Sequence, residues 1–146
     1  MEEAMSMPKN KPERLWTFRR FKMLKPRVLD DIKAELDTKA KELIEKVLTP
    51  KYIKPAPKKP LFNYPIDIWT KWHRSFFYFT STWASPGPYK IAPMFEFPFA
   101  RMEYVGNGRF NLAYLRHTGK WWDIYKELSI NQCLELVADG GPFTLI

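Results

Sequence analysis

From Phe76 to Tyr125 the chain alternates runs of β-forming residues with turn signals, and no other feature restricts its fold as much. Phe76-Phe77-Tyr78-Phe79-Thr80-Ser81-Thr82-Trp83 is built almost entirely from residues that fit a pleated surface. Ser85-Pro86-Gly87-Pro88 ends that run. A second strand is expected over residues 97–105. Gly106-Asn107-Gly108 then supplies the strongest hairpin turn in the sequence, because Asn and Gly tolerate the positive φ that a tight reversal needs. A third strand follows over 109–117. Thr118-Gly119 turns it into a fourth over 120–125. The pattern is that of an antiparallel meander of about four strands.

A meander with one apolar face needs a cover, and two segments offer one. Leu29, Ile32, Leu36, Ala40, Leu43 and Val47 recur at intervals of three and four residues, which places them on one stripe of a helix. Asp30 and Asp31 lie in its first turn, where the helix dipole favours acids, and Pro50 is expected to stop it. The spacing predicts a helix over 27–48. A short C-terminal helix opens at Ser129, with Gln132 three residues on as a capping box and Leu128 placed to staple against Cys133. Gly140-Gly141 supplies its stop. Residues 66–75, with Trp69 and Trp72 three apart, read as a further helical segment. The fold class is α+β: the meander packed against a long N-terminal helix and a short C-terminal one.

Treating both turns as two-residue loops fixes a register. Arg101, Tyr114 and Asp123 then share a row, and Arg116 lies opposite Trp121. One face carries Ala100, Met102, Tyr104, Ala113, Leu115, Trp122 and Ile124, and is apolar. The other carries Arg101, Glu103, Leu112, Tyr114, Arg116, Trp121, Asp123 and Tyr125, charges among rings. Exposed Trp and Tyr favour a partner, so this mixed face is expected to be covered, either by the segment around Trp69 and Trp72 or by another molecule. A slip of one residue exchanges the faces.

Charge divides the chain differently. Residues 1–60 hold 16 Lys and Arg against 9 Asp and Glu, and 4 aromatics; residues 61–146 hold 8 against 7, and 20 aromatics. Residues 1–25 read as a basic arm, in which Arg14, Arg19, Arg20, Lys22 and Lys25 are interleaved with Trp16, Phe18 and Phe21, and Arg27 follows directly. Pro8, Pro12 and Pro26 prevent a continuous helix there. Residues 26–146 read as one domain, interrupted at 50–62 by a proline-rich linker that includes Lys54-Pro55-Ala56-Pro57-Lys58-Lys59-Pro60.

The segment from Phe97 to Phe143 resembles a small bacterial family described as a domain of unknown function. The likeness rests on Ala100 to Tyr104, on Leu112-Ala113-Tyr114-Leu115-Arg116, on Lys120-Trp121 and Tyr125, and on Cys133 to Val137 leading to Phe143. The helix over 27–48 would match that family's N-terminal helix. The resemblance implies a fold and carries no activity with it.

Several kinds of chemistry lack the residues they need. One cysteine, Cys133, excludes a disulfide framework and a multi-cysteine zinc site. His73 and His117 are far apart in sequence and read as surface or turn residues, so no metal is expected. There is no Gly-x-Ser-x-Gly, Walker loop, Gly-x-Gly-x-x-Gly or His-Glu-x-x-His. Glu96, Glu103 and Asp123 read as balancing Arg101 and Arg116 rather than as an acid–base set. The expectation is therefore no enzyme, no catalytic residue, no cofactor and no small-molecule substrate. No run of about 18 apolar residues occurs, so no membrane partner is expected, and a reducing cytoplasmic location is the default. What remains is a non-enzymatic protein-interaction or structural module in a larger assembly. The alternative is nonspecific binding of RNA or DNA through the arm, whose cations would meet phosphate while its rings stack on bases.

Overall fold

The computed structural model describes residues 26–56, 58, 62–86 and 93–145. Five strands form one antiparallel sheet in sequential order: β1 (Tyr64–His73), β2 (Phe76–Ala84), β3 (Met94–Gly106), β4 (Arg109–Leu115) and β5 (Trp121–Leu128). Helix α1 (Asp30–Leu43) continues through a π-helical turn (Ile44–Leu48) into α2 (Thr49–Tyr52). Helix α3 (Ile130–Asp139) closes the fold, followed by a 3-10 turn (Gly141–Phe143). The helices lie on one side of the sheet, and Leu36, Ala40, Leu48, Tyr52, Phe77, Phe79, Met102, Phe110, Leu112, Cys133 and Val137 form the core between the layers. The fold class is α+β, as the sequence indicates.

The strand count corrects the expected four, because residues 66–75 form most of β1 rather than a helix. Their period is two. Ile68 is buried towards the helices and Trp72 packs there 4.9 Å from Phe77, whereas Trp69 and Lys71 point the other way. The β1–β2 turn is Arg74-Ser75, with Arg74 at φ 57° and the Ser75 carbonyl accepting from the Tyr104 amide at 2.9 Å.

The long helix also departs from expectation past residue 43. Leu36, Ala40, Ile44, Leu48 and Tyr52 are spaced by four, and in an α-helix each such step overshoots a full turn by about 40°. The π turn, closed by Thr49 N–H donating to the Ile44 carbonyl, takes up that excess and keeps the stripe on the sheet. Leu48 is consequently 0% exposed, while Val47, which the stripe reading placed in the core, is 37% exposed. Leu29 sits at the N-cap and is exposed. Pro50 does not end the helical path; it is the second residue of α2, in the first turn of that segment, where proline is tolerated. The helix thus reaches Tyr52, inside the stretch read as linker.

At the C-terminus the capping box is present. Ser129 Oγ accepts from the Gln132 amide at 3.2 Å, and Gln132 Oε1 accepts from the Ser129 amide at 2.9 Å. Gly140 ends α3 at φ 102°, and a Cβ there would lie 2.8 Å from Thr144 Oγ1. Lys39 joins α1 to α3 by donating to Asn131 Oδ1 at 2.9 Å, and Lys51 donates to the Ala138 carbonyl at 3.3 Å.

Candidate interaction surface

The sheet has a second side that no described helix covers. Its centre is one row running across all five strands: Lys71 pairs with Tyr78, Tyr78 with Arg101, Arg101 with Ala113, and Ala113 with Asp123. Paired residues point to the same side, and alternation along each strand adds Trp69, Phe76, Glu103, Leu115 and Trp121.

The first expected turn keeps its two-residue loop but has a bulge beside it, and the second is longer by one residue. Asn107-Gly108 is a two-residue loop, with φ 54° and 70°, but the pairing passes from Gly106–Arg109 to Tyr104–Phe110, which leaves Val105 bulged. The next loop is His117-Thr118-Gly119: Arg116 N–H donates to the Lys120 carbonyl at 2.9 Å, and Gly119 takes φ 83°. That is a three-residue loop with glycine in the left-handed position. Each change slips the register by one residue. Across β4 the slips act in opposite senses, so Arg101, Trp121 and Asp123 stay together while the residues between them change sides. Leu112 is therefore core and fully buried, and Tyr114 packs half-buried against the core. Ala113 and Leu115 take their places on the side away from the helices. Arg116 does not lie over Trp121; its guanidinium sits 4.5 Å from the Trp122 ring, on the helix side, where Trp122 is 51% exposed. Tyr125 pairs with Leu112 and belongs to that side too. Trp69 does not fold back over the face, because its own strand is part of the sheet.

Arg101 is the hub of this side. Its guanidinium lies 4.7 Å from the Phe76 ring and 5.1 Å from the Trp121 ring, and Nη2 donates to Asp123 Oδ1 at 3.5 Å. Tyr78 stacks obliquely on Trp121 at 5.7 Å. Lys71 Nζ sits 5.7 Å from the Trp69 ring and 5.9 Å from Tyr78. Trp69 is fixed by Nε1 donating to Thr82 Oγ1 at 2.9 Å. Each cation is thus held over rings, and Arg101 is also paired with a carboxylate. Arg101 Nε is buried and has no hydrogen-bond partner among the described residues.

Trp69, Lys71, Phe76 and Tyr78 escaped the sequence reading of this surface. The alternation in 67–73 carries the signal, since a strand there puts Trp69 and Lys71 on one side. Of the expected arm, Arg14, Trp16, Phe18, Arg19, Arg20, Lys22 and Lys25 lie outside the described residues. Arg27 is exposed and lines a cleft with Pro26, Val28, Arg74, Ser75 and Phe76. His73 and His117 are exposed, and no group of three or more His, Cys, Asp or Glu among the described residues is placed to hold a metal ion. Cys133 is buried, which pushes its thiol up to about 12. No described helix is long and apolar enough to cross a membrane.

No curated protein and no solved structure matches the chain. One family model does, over residues 29–143, a span that takes in α1, the whole sheet and α3 and is much longer than the C-terminal resemblance seen in the sequence. That span covers most of the chain, which therefore belongs to the family described as "Domain of unknown function (DUF3024)".

Proposed function

We propose that this chain is a non-enzymatic protein-interaction module and that the sheet face opposite the described helices is its docking surface. The observation that carries the reading is Arg101, held between Phe76 and Trp121 and paired with Asp123 on the central strand of the sheet. Arginine and large aromatics are the residues that protein interfaces concentrate at their centres. The face mixes Lys71 and Arg101 with Glu103 and Asp123, which suits a segment of mixed chemistry better than a phosphate track. In this reading the α+β domain is the rigid part, the basic arm and the proline-rich stretch lie along the partner, and the module works inside the cell, within a larger assembly.

Selection of binders from a random peptide library against the full chain tests it. Bound peptides should lose their affinity for a Tyr78→Ala/Trp121→Ala variant that still melts cooperatively. Peptides that bind both proteins equally would place docking elsewhere and overturn the reading.

A second reading, nonspecific nucleic-acid binding, is favoured by the five cations Arg14, Arg19, Arg20, Lys22 and Lys25 set among Trp16, Phe18 and Phe21. It requires an oligonucleotide affinity that falls by orders of magnitude between low and moderate salt. No binding to single or double strands at low salt ends it.

A further inference from the structure

We propose that the cleft beside the β1–β2 turn binds a terminal phosphate group, the dianion of a phosphomonoester. The cleft encloses about 510 Å³. Arg27 and Val28 line it ahead of α1, Asp30 and Lys33 line it from the start of α1, and Arg74 and Ser75 line it from the turn. It shares only Phe76 with the sheet face and stands apart from the docking reading. Three cations thus meet one carboxylate in the same cavity, which leaves two positive charges in excess.

Those cations are not spent on the protein itself. Arg101 rests on rings and pairs with Asp123, Arg116 lies over Trp122, and Lys39 and Lys46 pair with Glu35 and Glu42. Arg27 and Arg74, by contrast, are exposed and form no ion pair or ring contact among the described residues, and Asp30 pairs with none of the three cations. Lys33 is half-buried with Nζ 5.5 Å from the Trp72 ring, a contact that holds the ammonium at the wall while leaving its donors without a hydrogen-bond partner among the described residues. Arg74 occupies the first position of its turn at φ 57°, where Gly, Asn or Asp is the favoured residue. The turn thus carries a guanidinium at a place where a long side chain is strained. Like charges gathered in a cleft focus a positive potential there, and an anion relieves their repulsion. A phosphomonoester brings a charge of about −1.5 to −2 near pH 7 and three acceptor oxygens, which match the excess charge. Arginine forks onto two such oxygens, and lysine adds a point charge. The volume falls within the range of about 300–1,000 Å³ usual for small-molecule clefts, so the group that carries the phosphate also has room, against buried Val28 and Ser75.

Titration of the isotope-labelled full chain with inorganic phosphate, followed by NMR of the backbone amides, is the test. Shifts should saturate below about 10 mM and centre on Arg27, Val28, Lys33, Arg74 and Ser75. Sodium chloride at matched ionic strength should not reproduce them. Arg74→Gly keeps the turn, because glycine adopts φ 57° freely, and should weaken binding about tenfold. Arg27→Ala, at an exposed position, carries the same expectation. Asp30→Asn removes the carboxylate of the cleft and should tighten binding about threefold. Dimethyl phosphate, a monoanion, should bind at least about tenfold more weakly than inorganic phosphate. A phosphoserine pentapeptide and glucose 6-phosphate distinguish the two carriers, and one of them should bind more tightly than inorganic phosphate. Shifts that chloride reproduces, an affinity unchanged in Arg74→Gly or Asp30→Asn, equal binding of dimethyl phosphate, or no gain from either carrier would overturn the proposal.

Discussion

Truncation of Leu48 and of its neighbour Val47 separates two versions of the long helix. The apolar stripe, followed at α-helical pitch, puts Val47 in the core; the π turn puts Leu48 there instead, 0% exposed against 37% for Val47. Leu48→Ala removes three buried carbons, about 2.4 kcal/mol of transfer free energy. The hole left against the sheet raises this to about 3–4 kcal/mol, within the range of core leucine truncations. Val47→Ala removes two carbons from a site already open to water, and the better helix propensity of alanine offsets part of the loss, so its cost stays below about 1 kcal/mol. Urea unfolding followed by tryptophan fluorescence reads both. With a slope of about 2 kcal/mol/M, Leu48→Ala lowers the midpoint by about 1.5–2 M and Val47→Ala by less than about 0.5 M. Equal shifts, or a larger one for Val47→Ala, would refute the π-turn account and return the helix to a regular pitch.

Three further outcomes are expected. Gly140→Ala should cost about 2–3 kcal/mol, since φ is 102° and the new Cβ meets Thr144 Oγ1 at 2.8 Å, while Gly141→Ala, with open space around it, should cost about 1 kcal/mol; thermal unfolding of both checks the order. Cys133 ionises in the folded chain only near 12, against a reference value of 9.0, so its contribution is complete below pH 9 and is lost as pH rises. The stability advantage of the native chain over Cys133→Ala should therefore shrink by about 1.4 kcal/mol per pH unit above about pH 9, measured by urea unfolding of the pair. A double-mutant cycle on Arg101 and Trp121 should give a coupling of about 1 kcal/mol, and one on Arg116 and Trp122 about 0.5 kcal/mol, with none between Arg116 and Trp121.

Local signals were the legible ones. Ser129 and Gln132 announce α3 because a cap is satisfied within four residues, and Asn107-Gly108 announces its hairpin because the turn demands those φ values. The strand at 64–73 was hidden because Trp69 and Trp72 are three apart, which mimics a helical face. Only the sheet shows that these rings point to opposite sides, one to Thr82 on the face away from the helices and one to Phe77 in the core. The π turn was hidden for a related reason. Leu43 and Val47 continue the three–four spacing while Ile44, Leu48 and Tyr52 offer a rival spacing of four, and packing against the sheet selects the second.

The face away from the helices is where sequence reasoning reached the right residues through a register wrong at two places. Arg101, Trp121 and Asp123 belong to strands β3 and β5, which are separated by β4 and never hydrogen-bond to each other. Their common face depends only on the summed offset of two hairpins. The bulge at Val105 moves β4 by one residue relative to β3, and the third loop residue before Lys120 moves β5 by one relative to β4, in the compensating direction. Parity between the outer pair is preserved as far as Asp123, past which a further shift in the β4–β5 pairing takes Tyr125 to the helix side, and everything read on β4 itself is inverted. That is why Tyr114 and Arg116 left the face while Arg101 and Asp123 came within 3.5 Å. A period of two makes each strand's facing a binary choice, so a single unrecognised bulge inverts it and a second restores it. Residues on a strand flanked by both irregularities are the ones a sequence places least securely, and on this sheet those are Leu112, Ala113, Tyr114 and Leu115.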